Sequence, residues 1–130
     1  MSNTMKNPST MLFAVAGILV VGLIAVTVTK GRTPSSYDGF AQCLSDNGAQ
    51  MFGAWWCPHC ENQKAAFGSA FDNINNVECS PDRTRNMSAE CKQAGIESYP
   101  TWRFSDGTEL RGEQSFATLG SKTGCDVPQE

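Results

Sequence analysis

Two cysteines separated by two residues, Cys57 and Cys60 in the stretch Cys-Pro-His-Cys, constrain this chain more than any other feature. A pair at this spacing can close a small disulfide ring or contribute to a metal site. An apolar run at 51–54 precedes the pair and is typical of a buried strand, and the segment 61–71 after it has apolar residues at helical spacing. The pattern predicts a strand, the cysteine motif and then a helix, with Pro58 in the first helical turn, where its missing N–H costs little.

The predicted position of Cys57 at a helix N-terminus suits thiol chemistry. Unpaired backbone N–H groups and the positive end of the helix dipole favour a thiolate there. His59 is the only histidine of the chain, and we expect it to tune this thiolate rather than to bind a metal. Cys57 is then the sulfur that a substrate thiolate attacks, and Cys60 is the resolving thiol. A structural zinc site is disfavoured because no second CxxC and no HxxxH follows.

The motif and its surroundings resemble the thioredoxin superfamily. The sequence Trp-Cys-Pro-His-Cys at 56–60 is similar to that of the oxidising bacterial disulfide carriers. The longer run 53–60, together with 77–80 and 95–102, resembles the thioredoxin-like domain that is fused to, or accompanies, bacterial homologues of vitamin K epoxide reductase. The resemblance covers about residues 37–120.

This resemblance implies further roles near the motif. It implies a cis bond before Pro100, beside the cysteines, where the backbone of Tyr99 offers its N–H and C=O to an extended substrate peptide. Trp56 is expected to belong to the same substrate-binding surface, and no cofactor is implied beyond the redox-active disulfide itself. One position departs from thioredoxins, which carry a buried carboxylate six residues before the first cysteine, where this chain has Met51. That departure disfavours reductase chemistry more than oxidase chemistry.

The rest of the chain is patterned as a single α/β domain. The predicted elements are a helix at 37–47, a strand at 50–54, a helix at 58–71, a strand at 77–80, a helix capped by Ser88 and ended by Gly95, strands at 101–104 and 108–111, and a helix from Ser115 to about Lys122. The order αβαβαββα is that of the thioredoxin-like fold without its first strand.

An apolar stretch near the N-terminus is long enough to cross a membrane. Residues 11–28 contain one polar side chain, Thr27, and 18 helical residues span about 27 Å, close to a bilayer core. A cleaved signal peptide is the alternative, but its apolar core is usually about 7–15 residues long and ends at a small-residue site. The sequence predicts a tail at 1–10, a single-pass transmembrane anchor at 11–29, a linker at 30–36 and the thioredoxin-like domain at 37–130.

Six cysteines in 130 residues indicate an oxidising compartment. Lys6 lies before the apolar stretch and Lys30 and Arg32 lie after it, which is a weak bias against export of the C-terminal part. The cysteine count is the stronger signal, and we expect the domain on the extracytoplasmic side.

Four cysteines lie outside the motif and allow three pairings. Cys79 ends a predicted strand and Cys91 lies on the next helix, so a bridge between them would close the polar loop 81–90. Cys43 on the first helix and Cys125 after the last could tie the C-terminal tail to the domain. Free buried thiols are the alternative for each of the four.

Charge restricts the partners of the domain. From residue 34 onward there are seven Lys and Arg against thirteen Asp and Glu, so nucleic acid is not an expected partner. The cysteine motif, the apolar stretch and the cysteine count together predict a membrane-anchored thiol–disulfide oxidoreductase that donates disulfides to exported proteins. The resemblance implies reoxidation by a quinone-reducing membrane protein of the vitamin K epoxide reductase type. Two alternatives stay open: a reductase, for example of cytochrome cysteines, and a copper carrier using Cys57, Cys60 and His59.

Overall fold

A four-stranded mixed sheet lies at the centre of the domain in the computed structural model, which describes residues 34–129. The elements in chain order are α1 (Asp38–Asp46), β1 (Gln50–Gly53), α2 (Pro58–Phe67), a 3-10 helix (Gly68–Asn73), β2 (Asn75–Glu78), α3 (Ala89–Gln93), β3 (Thr101–Arg103), β4 (Glu109–Arg111) and α4 (Phe116–Thr123). The predicted α/β class and the order αβαβαββα are confirmed.

The sheet has the strand order β2-β1-β3-β4. β1 pairs in parallel with β2, which requires the crossover through α2, and it pairs antiparallel with β3. β3 and β4 form a hairpin in which Trp102 faces Leu110. β1 lies between β2 and β3, and the cysteine motif directly follows its C-terminal end. The motif therefore lies beside the central strands of the sheet.

Both faces of β1 are covered, and each faces its own apolar cluster. Met51 is fully buried in the larger cluster together with Leu44, Phe67, Trp102 and Leu119. The neighbouring residue on the strand points the other way, as strand geometry requires. This residue, Phe52, packs in a smaller cluster that contains Cys79, Cys91 and Ile96.

Two predicted elements differ from the structure by more than one residue at an end. The helix after the motif ends at Phe67 rather than at residue 71, because Gly68 has a φ of 57° and the chain continues as a 3-10 helix. The second strand runs from Asn75 to Glu78 rather than over 77–80, since pairing with β1 starts at Asn75. Its first two residues are exposed and polar, so tertiary pairing overrides their weak strand preference.

The N-terminal part of the prediction lies outside the described residues. This applies to the tail at 1–10, the transmembrane anchor at 11–29 and most of the linker at 30–36, and the predicted domain boundaries stay predictions. Within residues 34–129 no helix has the length and apolar character needed to cross a bilayer.

Candidate active site

The cysteine motif begins α2. Cys57 is the N-cap residue with extended backbone angles, and Pro58 occupies the first helical position. The Cys57 sulfur accepts a hydrogen bond from the backbone N–H of Cys60 at 3.3 Å. The sulfur therefore caps the helix, as a serine or aspartate oxygen does at other helix N-termini. In general, the free N–H groups and the dipole at a helix N-terminus favour negative charge.

The two sulfurs of the motif differ in their surroundings. Both cysteines are free thiols, but Cys57 keeps 5% of its surface exposed and Cys60 keeps none. Burial, followed by the hydrogen bond with Cys57, raises the pKa of Cys60 to about 12. For a disulfide donor we expect an exposed Cys57 with Cys60 buried behind it, and the first half of this expectation needs correction, since only a small part of Cys57 reaches solvent. Cys60 is enclosed completely, as a resolving thiol requires.

The predicted peptide-binding residues lie against Cys57. The Tyr99–Pro100 bond is cis, and the Cys57 sulfur is 3.6 Å from the carbonyl oxygen of Tyr99. The Trp56 ring meets the Tyr99 ring edge-on, with ring centroids 5.9 Å apart. The structure thus brings Trp56, Tyr99 and Pro100 together with the nucleophilic sulfur.

Met51 lies on the buried side of the motif, where thioredoxins carry a carboxylate. A Cβ placed on Gly53 would be 3.2 Å from both the Cys60 sulfur and the Met51 terminal methyl group. These two groups therefore flank the same point in the core. A thioether accepts no proton, so Met51 offers Cys60 no base.

His59 is paired with a carboxylate that the sequence did not single out. Its Nδ1 lies 2.6 Å from Oε1 of Glu113, and the side chain of Asn62 donates to the same oxygen at 3.1 Å. These two hydrogen bonds lower the pKa of Glu113. Because a carboxylate only accepts, the Nδ1 atom carries the ring proton in this pair. Both side chains are exposed to solvent, so the pairing adds little to stability.

A buried amide holds the loop that carries Glu113. The side-chain oxygen of Gln63 accepts from the backbone N–H of Gln114 at 2.7 Å, and its amide nitrogen donates to the Gln114 carbonyl at 3.1 Å. The indole N–H of Trp102 donates to the same Gln63 oxygen. In addition, the N–H of Gly112 donates to the carbonyl of Pro100. The 112–114 loop is thereby tied to α2 and to the peptide-binding segment together.

The loop after β2 also reaches the motif. The Trp56 indole N–H donates to the hydroxyl of Ser80 at 3.2 Å. One carboxylate oxygen of Glu78 accepts the backbone N–H groups of Trp55 and Ser80 at 3.2 and 2.9 Å. The guanidinium of Arg85 lies over the Trp56 ring, 5.6 Å from its centroid. Both tryptophans before Cys57 are therefore held by residues of this loop.

The four remaining cysteines form two disulfides. Cys79 is bonded to Cys91 and Cys43 is bonded to Cys125, with Cα separations of 5.7 and 6.0 Å. The first bridge closes the loop that holds Trp56. The second bridge ties the segment after α4 to α1.

No three His, Cys, Asp or Glu side chains gather into a group able to hold a metal ion within residues 34–129. His59, the histidine of the copper-carrier alternative, is engaged with Glu113 instead.

Three functional side chains escaped the sequence analysis. Glu113 bonds His59 from 54 positions away in the chain, and Ser80 bonds Trp56 from 24 positions away. Neither contact has a signal in the local sequence. Gln63 had a weak signal: it occupies the helical stripe of Cys60 and Phe67, which marks it as core-facing.

Comparison with known proteins shows that part of the chain is similar to a plant thiol–disulfide oxidoreductase. The chain is 41% identical over 93 residues to thiol-disulfide oxidoreductase LTO1 of Arabidopsis thaliana. The match covers 68% of this chain and 24% of that enzyme, so the chain spans about a quarter of the relative's length. At this identity the matched region is homologous to part of a thiol–disulfide oxidoreductase, a class that uses its own redox-active cysteines. No protein-family model matches the chain.

Among solved structures, the first two thioredoxin domains of Saccharomyces cerevisiae Eps1p show a distant likeness. The alignment covers 72% of this chain and 40% of that chain, at 19% sequence identity and a TM-score of 0.34. A TM-score this low supports no argument about fold or activity.

Proposed function

We propose that this protein is a thioredoxin-like thiol–disulfide oxidoreductase that donates disulfides to exported proteins through Cys57 and Cys60. The observation that carries the proposal is the position of the Cys57 sulfur. It accepts the Cys60 N–H at the start of α2 and contacts the Tyr99 carbonyl, where an extended peptide can dock. The homology to part of LTO1 supports the same chemistry.

The exchange needs no group outside the two polypeptides. A substrate thiolate attacks the Cys57 sulfur of the oxidised motif, the Cys57–Cys60 bond breaks, and the Cys60 sulfur leaves and takes up a proton. A second substrate thiolate then attacks the substrate sulfur of the mixed disulfide. Cys57 leaves as a thiolate stabilised by the helix N-terminus, the substrate is oxidised by two electrons, and the motif is reduced to a dithiol.

The state of Cys60 supports the oxidising direction. With a pKa of about 12, Cys60 is protonated at neutral pH and attacks the mixed disulfide slowly. The substrate's own second thiolate therefore has time to complete its disulfide. Met51 reinforces this bias because it supplies no base that could activate Cys60.

The setting of the reaction belongs to the same proposal. The apolar stretch at 11–29 anchors the chain, and the domain faces the extracytoplasmic side, in keeping with its cysteine content. A quinone-reducing membrane protein of the vitamin K epoxide reductase type accepts the two electrons and two protons of the reduced motif and restores the disulfide.

The test measures both activity and potential. The oxidised full-length protein is incubated with a reduced, unfolded protein that needs a disulfide to fold, and the Cys57–Cys60 potential is determined by equilibration with glutathione. We expect disulfide transfer and a potential well above the value of about −270 mV that is typical of thioredoxin. A potential at or below that value would support the reductase alternative. Stoichiometric Cu(I) binding without any exchange would support the copper carrier.

A further inference from the structure

A notch opens directly beside the motif, between Trp55 and the residues at and after the end of β2. It has a volume of about 270 Å³ and is lined by Trp55, Glu78, Ser80, Pro81 and Arg83. Trp55 is 46% exposed and is the large exposed hydrophobic side chain of the described residues. Because Trp55 lies two residues before Cys57, a polypeptide held at the sulfur passes within reach of this notch.

The walls of the notch are fixed to the motif. Ser80 is completely buried and bonds the Trp56 indole, and the Glu78 carboxylate bonds the backbone of Trp55. The Cys79–Cys91 disulfide closes the loop that supplies the other wall. The surface is thus preformed, so a ligand need not order it on binding.

The arginines of this loop differ from the other cations of the domain. Four of the seven Lys and Arg side chains from residue 34 onward form ion pairs with carboxylates, and they are Lys64, Arg103, Arg111 and Lys122. Within residues 34–129 Arg83, Arg85 and Lys92 form none. Arg83 lines the notch, and Arg85 covers the Trp56 ring.

The carboxylates near these arginines accept hydrogen bonds from other groups. Glu78 accepts two backbone N–H groups, and Asp82 accepts the N–H and the hydroxyl of Thr84. Neither forms an ion pair with Arg83 or Arg85 in the described part of the chain. Arg83 therefore lies beside the exposed Trp55 indole and Arg85 over the half-buried Trp56 ring, and both guanidinium groups keep open donors close to the cysteine motif. Guanidinium groups bind carboxylates through two parallel hydrogen bonds.

We propose that this notch selects substrate segments in which acidic side chains, together with an aromatic or apolar side chain, flank the reacting cysteine. Carboxylates of the segment pair with Arg83 and Arg85, and the apolar side chain packs on Trp55. The inference rests on the proposed function and adds a substrate class to it. The domain is acidic as a whole, so its long-range field opposes such a segment, and any preference must come from these local contacts.

The test compares peptides that differ only in charge. Three reduced peptides carry one cysteine and one phenylalanine, with Glu, Gln or Lys on both sides of the cysteine. The rate of mixed-disulfide formation with the oxidised full-length protein is measured by acid quenching and mass spectrometry. Each rate is divided by that of the same peptide with hydroxyethyl disulfide, an uncharged disulfide, which removes the effect of the flanking charge on the peptide thiol.

We expect the wild-type protein to prefer the Glu peptide over the Gln peptide roughly fivefold, the size of one or two exposed charge-assisted pairs. The double variant Arg83→Gln/Arg85→Gln should lose this preference. Lys92→Gln, which removes an unpaired cation outside the notch, should keep it. Trp55→Ala should slow all three peptides but leave their ratio unchanged.

The two proposals fail in different ways. A wild-type protein that does not oxidise dithiothreitol lacks the proposed function itself. A protein that oxidises dithiothreitol and the Gln peptide normally but does not favour the Glu peptide overturns the notch alone. A preference that survives in the double arginine variant, measured with unchanged dithiothreitol oxidation, also overturns it.

Discussion

Two helices of this domain begin in the same way, but their cysteines differ in chemistry. The cysteines of α2 are free thiols, whereas the cysteine of α3 forms a structural disulfide. In α2 the N-cap is Cys57, whose sulfur accepts the N–H of Cys60 three residues later at 3.3 Å. In α3 the N-cap is Ser88, whose hydroxyl accepts the N–H of Cys91 at the same spacing and the same distance. The local sequences Cys-Pro-His-Cys and Ser-Ala-Glu-Cys are thus equivalent in backbone role.

The capping atom makes the difference. In α2 the atom that caps the helix is a sulfur, and a sulfur can also serve as the leaving group of a disulfide. The same atom therefore serves both as the helix cap and as the exchanging sulfur. In α3 a hydroxyl takes that place, and the cysteine three residues later is bonded to Cys79 in a fully buried cluster. We therefore expect exchange to require a sulfur at the N-cap itself, and a buried cysteine in the first helical turn to be insufficient.

Exchanging the capping sulfur for oxygen gives the largest expected effect. Cys57→Ser makes α2 resemble α3, because a hydroxyl still accepts the Cys60 N–H. We expect disulfide exchange to be lost completely while the free energy of unfolding changes by less than about 1 kcal/mol. Cys57→Ala is the control, since it removes the cap as well and should cost about 0.5–2 kcal/mol. Exchange is followed with dithiothreitol, and unfolding is followed in urea.

The same experiment can be extended to the partners. Cys60→Ala should accumulate mixed disulfides at Cys57 in membranes of expressing cells, because the resolving attack is gone. Cys57→Ser should accumulate few, since Cys60 is fully buried. Equal trapping by both variants on non-reducing electrophoresis would reverse the assigned roles.

Removing the structural bridges should lower the stability of the domain. In the chain-entropy model, Cys79→Ala/Cys91→Ala lowers the unfolding free energy by about 3 kcal/mol, and Cys43→Ala/Cys125→Ala lowers it by about 4.5 kcal/mol because its loop is longer. The sequence separations are 12 and 82 residues. Urea unfolding measures both losses. Finding any of these four cysteines as a free thiol in unreduced peptide maps would contradict the pairing.

The buried position of Cys60 predicts a steep pH dependence. Its raised pKa, about 12, means that the attacking thiolate becomes about tenfold more abundant with each pH unit, far beyond neutrality. Burial is the main cause of this raised pKa, and Cys60 stays buried when Cys57 is in a mixed disulfide. The release of a chromophoric thiol from Cys57 should therefore accelerate about tenfold per unit between pH 6 and pH 9. A plateau near pH 8.5, the range of a free thiol, would show that Cys60 is not shielded.

The smallest effect concerns the second helical position, where α2 has His59 and α3 has Glu90. Hydrogen bonds from His59 and Asn62 lower the pKa of Glu113, so folding favours its ionised form. The resulting stability is present above the unfolded pKa of about 4.3 and is lost as the pH falls through the lower folded value. Glu113→Gln should therefore reduce the loss of stability between pH 5 and pH 3. Urea unfolding of the variant and of the wild-type protein at pH 5 and at pH 3 measures this difference.

Local patterns predicted the elements well but misjudged some of their ends. The start of α3 at Ser88 follows from a side chain that caps its own helix, and the last helix starts at Ser115 for the same reason. The end of α2 was missed because apolar spacing continues past Gly68, while the positive φ of this glycine stops the helix. Ala65 and Ala66, expected in an apolar stripe, are exposed, and Gln63 is buried instead.

Sequence alone determined the parts of this protein that depend on neighbours a few residues apart: the strand, the capping cysteine, the helix after it and the order of elements. Only the tertiary structure decided that Glu113 meets His59, that Gln63 holds the Gln114 backbone, and that Ser80 and Arg85 hold Trp56. Caps and helical periodicity act within one or two turns, so they are written in adjacent residues. Contacts between side chains tens of positions apart depend on sheet register and loop closure, which no local pattern encodes.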